Sequence, residues 1–311
     1  MSKMATREAY GKALVELGKN HENIIVLDAD LSKSTKTALF KKEFPNRFFS
    51  TGIAEANMIG VAAGLAAAGK VPFVSSFALF ATGRAFEQIR NSVCYPNLNV
   101  KIAATHSGVT VGPDGGSHQS VEDIAIMRAI PNMTVLVPAD GVSTKKMIKL
   151  AYEFDGPVYI RLGRPSVETI YNDDEFFAIG QAKQLANGHD ATIIACGLMV
   201  QQAVEASKQL AKTGIKVRVL DMTTVKPLDI GAVIKAAEET GAIVTAEEHS
   251  VIGGLGSAVA TLLAEQKPVP VQMVGVRDRF GQSGSPNELL VEYNLMATDI
   301  IEAVKKVINR K

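Results

Sequence analysis

The chain has 311 residues, 47% of them hydrophobic and 21% charged, with a formal net charge of +1. That length suits two ordinary domains, and the balance is that of a soluble globular protein. A near-neutral charge offers nothing to nucleic acid or to an acidic membrane surface. Every apolar run is broken by Lys, Gly or Pro well before the roughly 18 residues of a membrane helix. The opening MSKMATREAYGKAL has no signal-peptide core and reads as the start of an amphipathic helix. Cys94 and Cys196 lie far apart and form no CxxC pair, so a reducing cytoplasm and two small buried thiols are expected.

In chain order, helical spacing over Glu8–Leu17 leads to a strand at Ile24–Leu27, a helix at Ala54–Ala68 and a strand at Val71–Val74. Ala85–Val93 reads as a helix, Val100–Ala104 as a strand, Glu122–Ala129 as a helix, Thr134–Val137 as a strand, Ser143–Glu153 as a helix and Val158–Ile160 as a strand. Short strands that are apolar on both faces and alternate with helices predict a parallel sheet covered on both sides. This block closes near Arg164, and Asn172-Asp173-Asp174 marks a linker. A second block then places strands at Thr192–Ala195, Val217–Leu220, Ile243–Ala246 and Val271–Val274. Its helices are Met199–Lys212, Ile230–Thr240, Leu255–Glu265 and Ala297–Ile308. The expected fold is α/β: two consecutive domains with mainly parallel sheets covered by helices, over 1–168 and 191–311, joined by a linker over 169–190.

Three stretches carry candidate chemistry. Glu55 is a lone carboxylate in Thr51–Gly69, where every other residue after Thr51 except Asn57 is small or apolar. Such a helix is expected to be buried on several sides, and a carboxylate there must be paired, protonated or used. A first-turn acid favoured by the helix dipole is the competing reading. Phe77 and Phe80 lie at i, i+3 in SSFALFATGRAF, a spacing that also suits plain core packing. Thr105–Ser120, THSGVTVGPDGGSHQS, follows a strand and puts His106, Asp114 and His118 on a Gly-rich loop at the edge of the sheet, where ligands usually bind. A metal site is conceivable from His, Asp and His, but the loop lacks the short helical His spacing of zinc motifs, so no metal ligand is assigned. The Gly253–Ala258 run, GGLGSA, lacks the third glycine of a dinucleotide fingerprint and reads as a tight strand–helix turn. Glu247, Glu248 and His249 beside it read as interface or turn residues rather than catalysts.

The loop Thr105–Ser120, the Gly-Ile-Ala-Glu55-Ala-Asn motif and the aromatic run resemble the transketolase family over nearly the whole chain. The resemblance implies a pyrimidine-binding thiamine-diphosphate domain followed by a transketolase C-terminal domain. It implies transfer of two-carbon ketol units between sugar phosphates. Glu55 would then hydrogen-bond N1′ of the cofactor's aminopyrimidine ring, favouring the imino form that activates the thiazolium carbon. Phe77 and Phe80 would line that ring's pocket, with Gly83 standing where many members have a third aromatic. Asp30 would face the cofactor across a subunit contact. His106 and His118 would contact substrate and shuttle protons, and Asp114 would hold a sugar hydroxyl. Arg7, Ser34 and Arg161 align with sugar-phosphate contacts.

No Gly-Asp-Gly occurs in the chain, although the family uses that motif and a later Asn to hold the diphosphate through a metal. The resemblance therefore implies the C-terminal subunit of a split transketolase. A separate N-terminal subunit would hold Mg²⁺ or Ca²⁺ and share the thiamine diphosphate in an α2β2 assembly. Three alternatives stand beside it. One is a 1-deoxy-xylulose-5-phosphate synthase-like enzyme, favoured by Arg84-Ala-Phe-Glu-Gln88 and opposed by His106. The others are a 2-oxo-acid dehydrogenase E1 β-like subunit and a non-catalytic assembly partner.

Overall fold

A computed structural model describes residues 3–311. The first half runs β1 (Lys3–Ala5), α1 (Thr6–Asn20), β2 (Ile24–Asp28), α2 (Ser32–Thr35), α3 (Ala38–Glu43), β3 (Phe48–Ser50), α4 (Glu55–Ala67) and β4 (Val71–Ser75). It continues through α5 (Phe86–Gln88), β5 (Lys101–Ala104), α6 (Asp123–Ala129), β6 (Thr134–Leu136), α7 (Gly141–Glu153), β7 (Val158–Arg161) and β8 (Ser166–Glu168). The second half runs β9 (Lys183–Ala186), β10 (Ala191–Ala195), α8 (Met199–Ala211), β11 (Val217–Asp221), β12 (Thr224–Lys226) and α9 (Ile230–Thr240). It ends with β13 (Ile243–Ser250), α10 (Leu255–Gln266), β14 (Val271–Val276), α11 (Pro286–Glu292) and α12 (Ala297–Ile308).

Two mainly parallel sheets result, as the αβ alternation requires. The first has the order β12-β6-β7-β5-β4-β2-β3 and is parallel apart from β12. The second has the order β14-β13-β10-β11-β9 and is parallel apart from β9. Neighbouring residues on a strand face opposite ways, so Val26 and Phe73 enter one core cluster while Leu27 and Val74 enter the other. Both clusters take residues from both sheets: Ile193 joins Phe73, and Ile194 joins Val74. Cys94 and Cys196 are free and buried.

Four differences from the sequence reading have physical causes. Strand β9 lies inside the stretch expected as linker, and β12 leaves the second half to pair with β6. Both are short edge strands, too short to show a period. Helix α4 buries Glu55, Met58, Ile59, Ala62 and Ala63 on one face only, while Asn57, Gly60, Val61 and Gly64 are exposed. Its lack of polar residues predicts burial on several sides, but small apolar residues do not report which face is covered. The stretch around Ala85–Val93 is helical, yet π-helical turns at Phe80–Arg84 and Ile89–Cys94 flank the short α5. Such turns often mark functional positions.

Candidate functional site

In a parallel sheet all chains leave at the same edge, so β2, β4, β5 and β7 deliver their following loops to one place. Pairing of β4 with β5 continues past both strands: Ala78 N–H donates to Thr105 O at 2.7 Å and Thr105 N–H to Ser76 O at 3.1 Å. This sets Phe77 beside His106, with ring centroids 3.8 Å apart and planes 22° from parallel. Phe80 stacks on Phe77 at 5.8 Å and receives the His118 ring edge-on at 5.2 Å. His106, His118, Phe77 and Phe80 therefore form one ring cluster.

Glu55 opens α4 at the same edge, its side chain 2% exposed. Ser76 Oγ donates to its Oε1 at 3.0 Å, and Arg84 Nη1 approaches both carboxylate oxygens at 3.3–3.4 Å. The Arg84 guanidinium also covers the Phe80 ring at 4.2 Å. Glu55 is thus a first-turn acid of α4 that is also a buried carboxylate held at an aromatic wall. Arg84 is a contact that helix spacing did not reveal.

The short antiparallel pair β1–β8 brings the start of α1 to the end of β7. Gly163 N–H donates to Thr6 Oγ1 at 2.8 Å, Arg7 Nε to Arg164 O at 3.3 Å, and Arg7 Nη1 to the Ser34 carbonyl at 2.8 Å. Arg164 Nη1 bonds Val111 O and lies 3.4 Å from Asp114 Oδ2. Arg7, Ser34, Asp114 and Arg164 are therefore brought together beside the rings. Asp30 is exposed at the same edge, in a left-handed conformation at φ 65°. Burial, then the charges of Arg7, Arg164, His118 and Lys36, push the His106 pKa down to about 3. A neutral imidazole surrounded by cations is a donor and acceptor rather than a charge, in a field that attracts anions.

Arg161 requires a correction. Its side chain is 5% exposed and pairs with the fully buried Asp123 at 2.7 Å. Its Nη2 also donates to Asp123 Oδ1 at 3.1 Å, to Glu248 O at 2.9 Å and to Ser120 O at 3.4 Å. Two of its three nitrogens, Nε and Nη2, are thus committed to interior partners. Arg164, three residues on and partly exposed, is the arginine that lies beside Arg7 and Asp114. Strand alternation held the signal: Tyr159 and Arg161 share a face, and the Tyr159 hydroxyl also bonds Asp123, at 2.7 Å.

Two outcomes are expected. Arg161→Met strands Asp123 in the interior and should destabilise the fold by about 3–5 kcal/mol, with the double change Arg161→Met/Asp123→Leu recovering most of the loss. Thermal unfolding measures both. His106 should remain neutral through pH 5–8, so its ring ¹⁵N shifts stay flat where an ordinary histidine titrates near 6.5. Its folded value lies below the unfolded one. Its contribution to stability is therefore complete above pH 6.5 and is lost as pH falls toward about 3.

A carboxylate, an aromatic wall, two histidines and a cation cluster thus meet at one edge of a parallel sheet in an α/β protein. Comparison with known proteins gives the family. "Transketolase, pyrimidine binding domain" matches residues 2–169 and "Transketolase, C-terminal domain" matches residues 180–300. A Methanocaldococcus jannaschii protein named as a transketolase C-terminal section is 52% identical, with 96% of each chain covered. One of the subunits of the apulose-4-phosphate transketolase of Phocaeicola vulgatus is 41% identical, covering 97% of this chain and 98% of that one. A solved structure described as "Split gene transketolase, inactive beta4 tetramer" is 57% identical, with a TM-score of 0.93 and 99% of each chain covered. The chain belongs to the transketolase family and corresponds to the C-terminal part of a split transketolase.

Proposed function

We propose that this chain is the catalytic C-terminal subunit of a thiamine-diphosphate-dependent transketolase that moves a two-carbon ketol unit between sugar phosphates. One observation carries the reading: the Glu55–Phe77–Phe80 wall and the His106–His118–Arg7–Arg164 cluster meet at a single sheet edge. The residues suit the cofactor's aminopyrimidine end, since a buried carboxyl can meet a ring nitrogen and aromatic rings can meet a planar heterocycle. When bound, thiamine diphosphate supplies the nucleophilic carbon that attacks and releases carbonyl groups.

The chain's own residues do the rest. Glu55 holds the proton at ring N1′, while Phe77 and Phe80 shield that ring from water. Asp30, exposed at the same edge, would face the cofactor across a subunit contact. His118 and the neutral His106 hold or move the proton at the substrate's carbonyl and hydroxyl oxygens. Asp114 accepts from a sugar hydroxyl. Arg7 and Arg164, with Ser34 beside them, take the phosphate.

The diphosphate end falls to another chain. Among the described residues no group of three or more His, Cys, Asp or Glu side chains could hold a metal ion. Gly-Asp-Gly is absent from the sequence. A separate N-terminal transketolase subunit would bring Mg²⁺ or Ca²⁺, in an α2β2 assembly. The exposed small-residue face of α4, Gly60 and Gly64 included, supports this by leaving room for a close neighbour: a Cβ on either glycine would meet nothing within 4 Å.

The test mixes purified chains. This chain alone should not turn over xylulose 5-phosphate with ribose 5-phosphate, and adding the partner should start the reaction. Full turnover by this chain alone would sink the split reading. In the assembled enzyme, Arg164→Ala should lower kcat/KM for phosphorylated donors by roughly 10- to 150-fold, the scale of a lost charged hydrogen bond. Hydroxypyruvate, which has no phosphate, should be nearly unaffected. Equal losses on both donors would remove Arg164 from the phosphate site.

A further inference from the structure

The second domain has no part in the chemistry described so far, yet it touches the histidine loop directly. We infer that Glu248, on β13, is a positioning residue that fixes the Thr105–Ser120 loop and through it the two histidines at the loop's ends. The catalytic consequence rests on the proposed function, whereas the positioning itself does not.

Glu248 is 3% exposed, and its Oε1 accepts the Thr110 N–H at 2.7 Å. Thr110 belongs to the short 3₁₀ turn Val109–Val111, which follows Gly108 at φ 77°. A Cβ on Gly108 would overlap the Glu248 carboxylate. Gly108 is therefore needed twice, for its backbone conformation and for the approach of this side chain. A carboxylate buried against bare backbone lowers its cost by bonding a backbone N–H, and that bond specifies the turn.

The carboxylate has little freedom to move. The Glu248 backbone carbonyl accepts from Arg161 Nη2 at 2.9 Å. On one side of it, Glu247 accepts the Leu255 and Gly256 N–H groups at 2.7 Å each. On the other, His249 Nε2 lies 3.3 Å from Ala125 N, and Ser250 N–H donates to Val121 O at 2.8 Å. Strand β13 is thus pinned both to its own domain and to the chain just after the loop. A second brace holds the loop's far half. Gln119 Nε2 donates to Val109 O at 3.0 Å, Gly112 O at 3.2 Å and Gln282 O at 2.9 Å. Cβ atoms on Gly115 and Gly116 would crowd Ser283 and Gly281. The glycines of this loop make room for the second domain; they do not make the loop slack.

Glu248→Ala removes the acceptor, while Glu248→Gln keeps an oxygen that Thr110 N–H can reach. By hydrogen exchange on the isolated chain, Val109–Gly112 amides should exchange about tenfold faster or more in Glu248→Ala. In Glu248→Gln they should stay within about threefold of the wild type, with β10 and β11 amides unchanged in both. In the assembled enzyme kcat/KM should follow the same order, lost in Glu248→Ala and retained in Glu248→Gln. A double-mutant cycle adds an independent check. Gly108→Ala should lower the thermal midpoint less in the Glu248→Ala background, because backbone strain is common to both and only the overlap is relieved. Unchanged loop exchange in Glu248→Ala, loosening spread evenly through the second domain, or strict additivity with Gly108→Ala would each overturn the inference. If the wild-type assembly lacks ketol transfer, the proposed function fails, and exchange still decides the role of Glu248.

Discussion

The buried Arg161–Asp123 pair is the contact on which the rest of the site depends. Two charges in the interior are tolerable only when nearly every donor and acceptor is used. Here Asp123 accepts from Arg161 and from the Tyr159 hydroxyl, and Arg161 also caps the carbonyls of Ser120 and Glu248. Burial alone would raise the Asp123 pKa, but the adjacent guanidinium outweighs it and holds the carboxyl below its ordinary value. The pair joins the end of β7, the start of α6, the close of the histidine loop and the second domain's β13. Each of those elements carries or braces a site residue, so their relative placement is set at one point that water does not reach.

Much of this was legible in the sequence because parallel strands covered on both faces are apolar throughout. IIVL at 24–27 and TIIA at 192–195 have few other readings. Strands β1, β3, β8 and β12 were not legible, since each is three residues long and, unlike the equally short β6 within its TVLV run, lies in no continuous apolar stretch. They matter nonetheless: β1 against β8 is what carries Arg7 to Arg164. The site itself was legible in part. His106, His118, Phe77, Phe80 and Glu55 stood out by residue type and meet in space. Arg161 and Arg164 share one short stretch, Ile-Arg-Leu-Gly-Arg, and residue type could not separate them. Where the strand ends separates them: Arg161 is its last residue, facing inward with Tyr159, and the chain turns at Gly163 before Arg164 emerges.

Charge explains why these side chains can share a small space. A protonated His106 would add a further positive charge beside Arg7, Lys36 and Arg164. The folded chain avoids that by keeping the ring neutral, through burial first and the neighbouring cations second. The same cations leave a field suited to an anionic ligand, whose arrival would lessen the penalty on protonating His106. Binding of an anion there and proton affinity at His106 would therefore be coupled through the arrangement itself. The aromatic contact works the same way: Phe77 stacked at 3.8 Å excludes the water that would otherwise screen the ring.

The glycines of the loop gain their meaning from the second domain. In isolation, Gly108, Gly112, Gly115 and Gly116 suggest mobility. In the fold, each faces an atom of the second domain: the Glu248 carboxylate, Gly284 and Pro286, Ser283, and Gly281 in turn. A side chain at any of these positions would push the two domains apart or twist the loop. A loop that can adopt many conformations is thereby restricted to one by contacts that never touch a ligand. The second domain thereby supplies the surface against which the histidine loop is set.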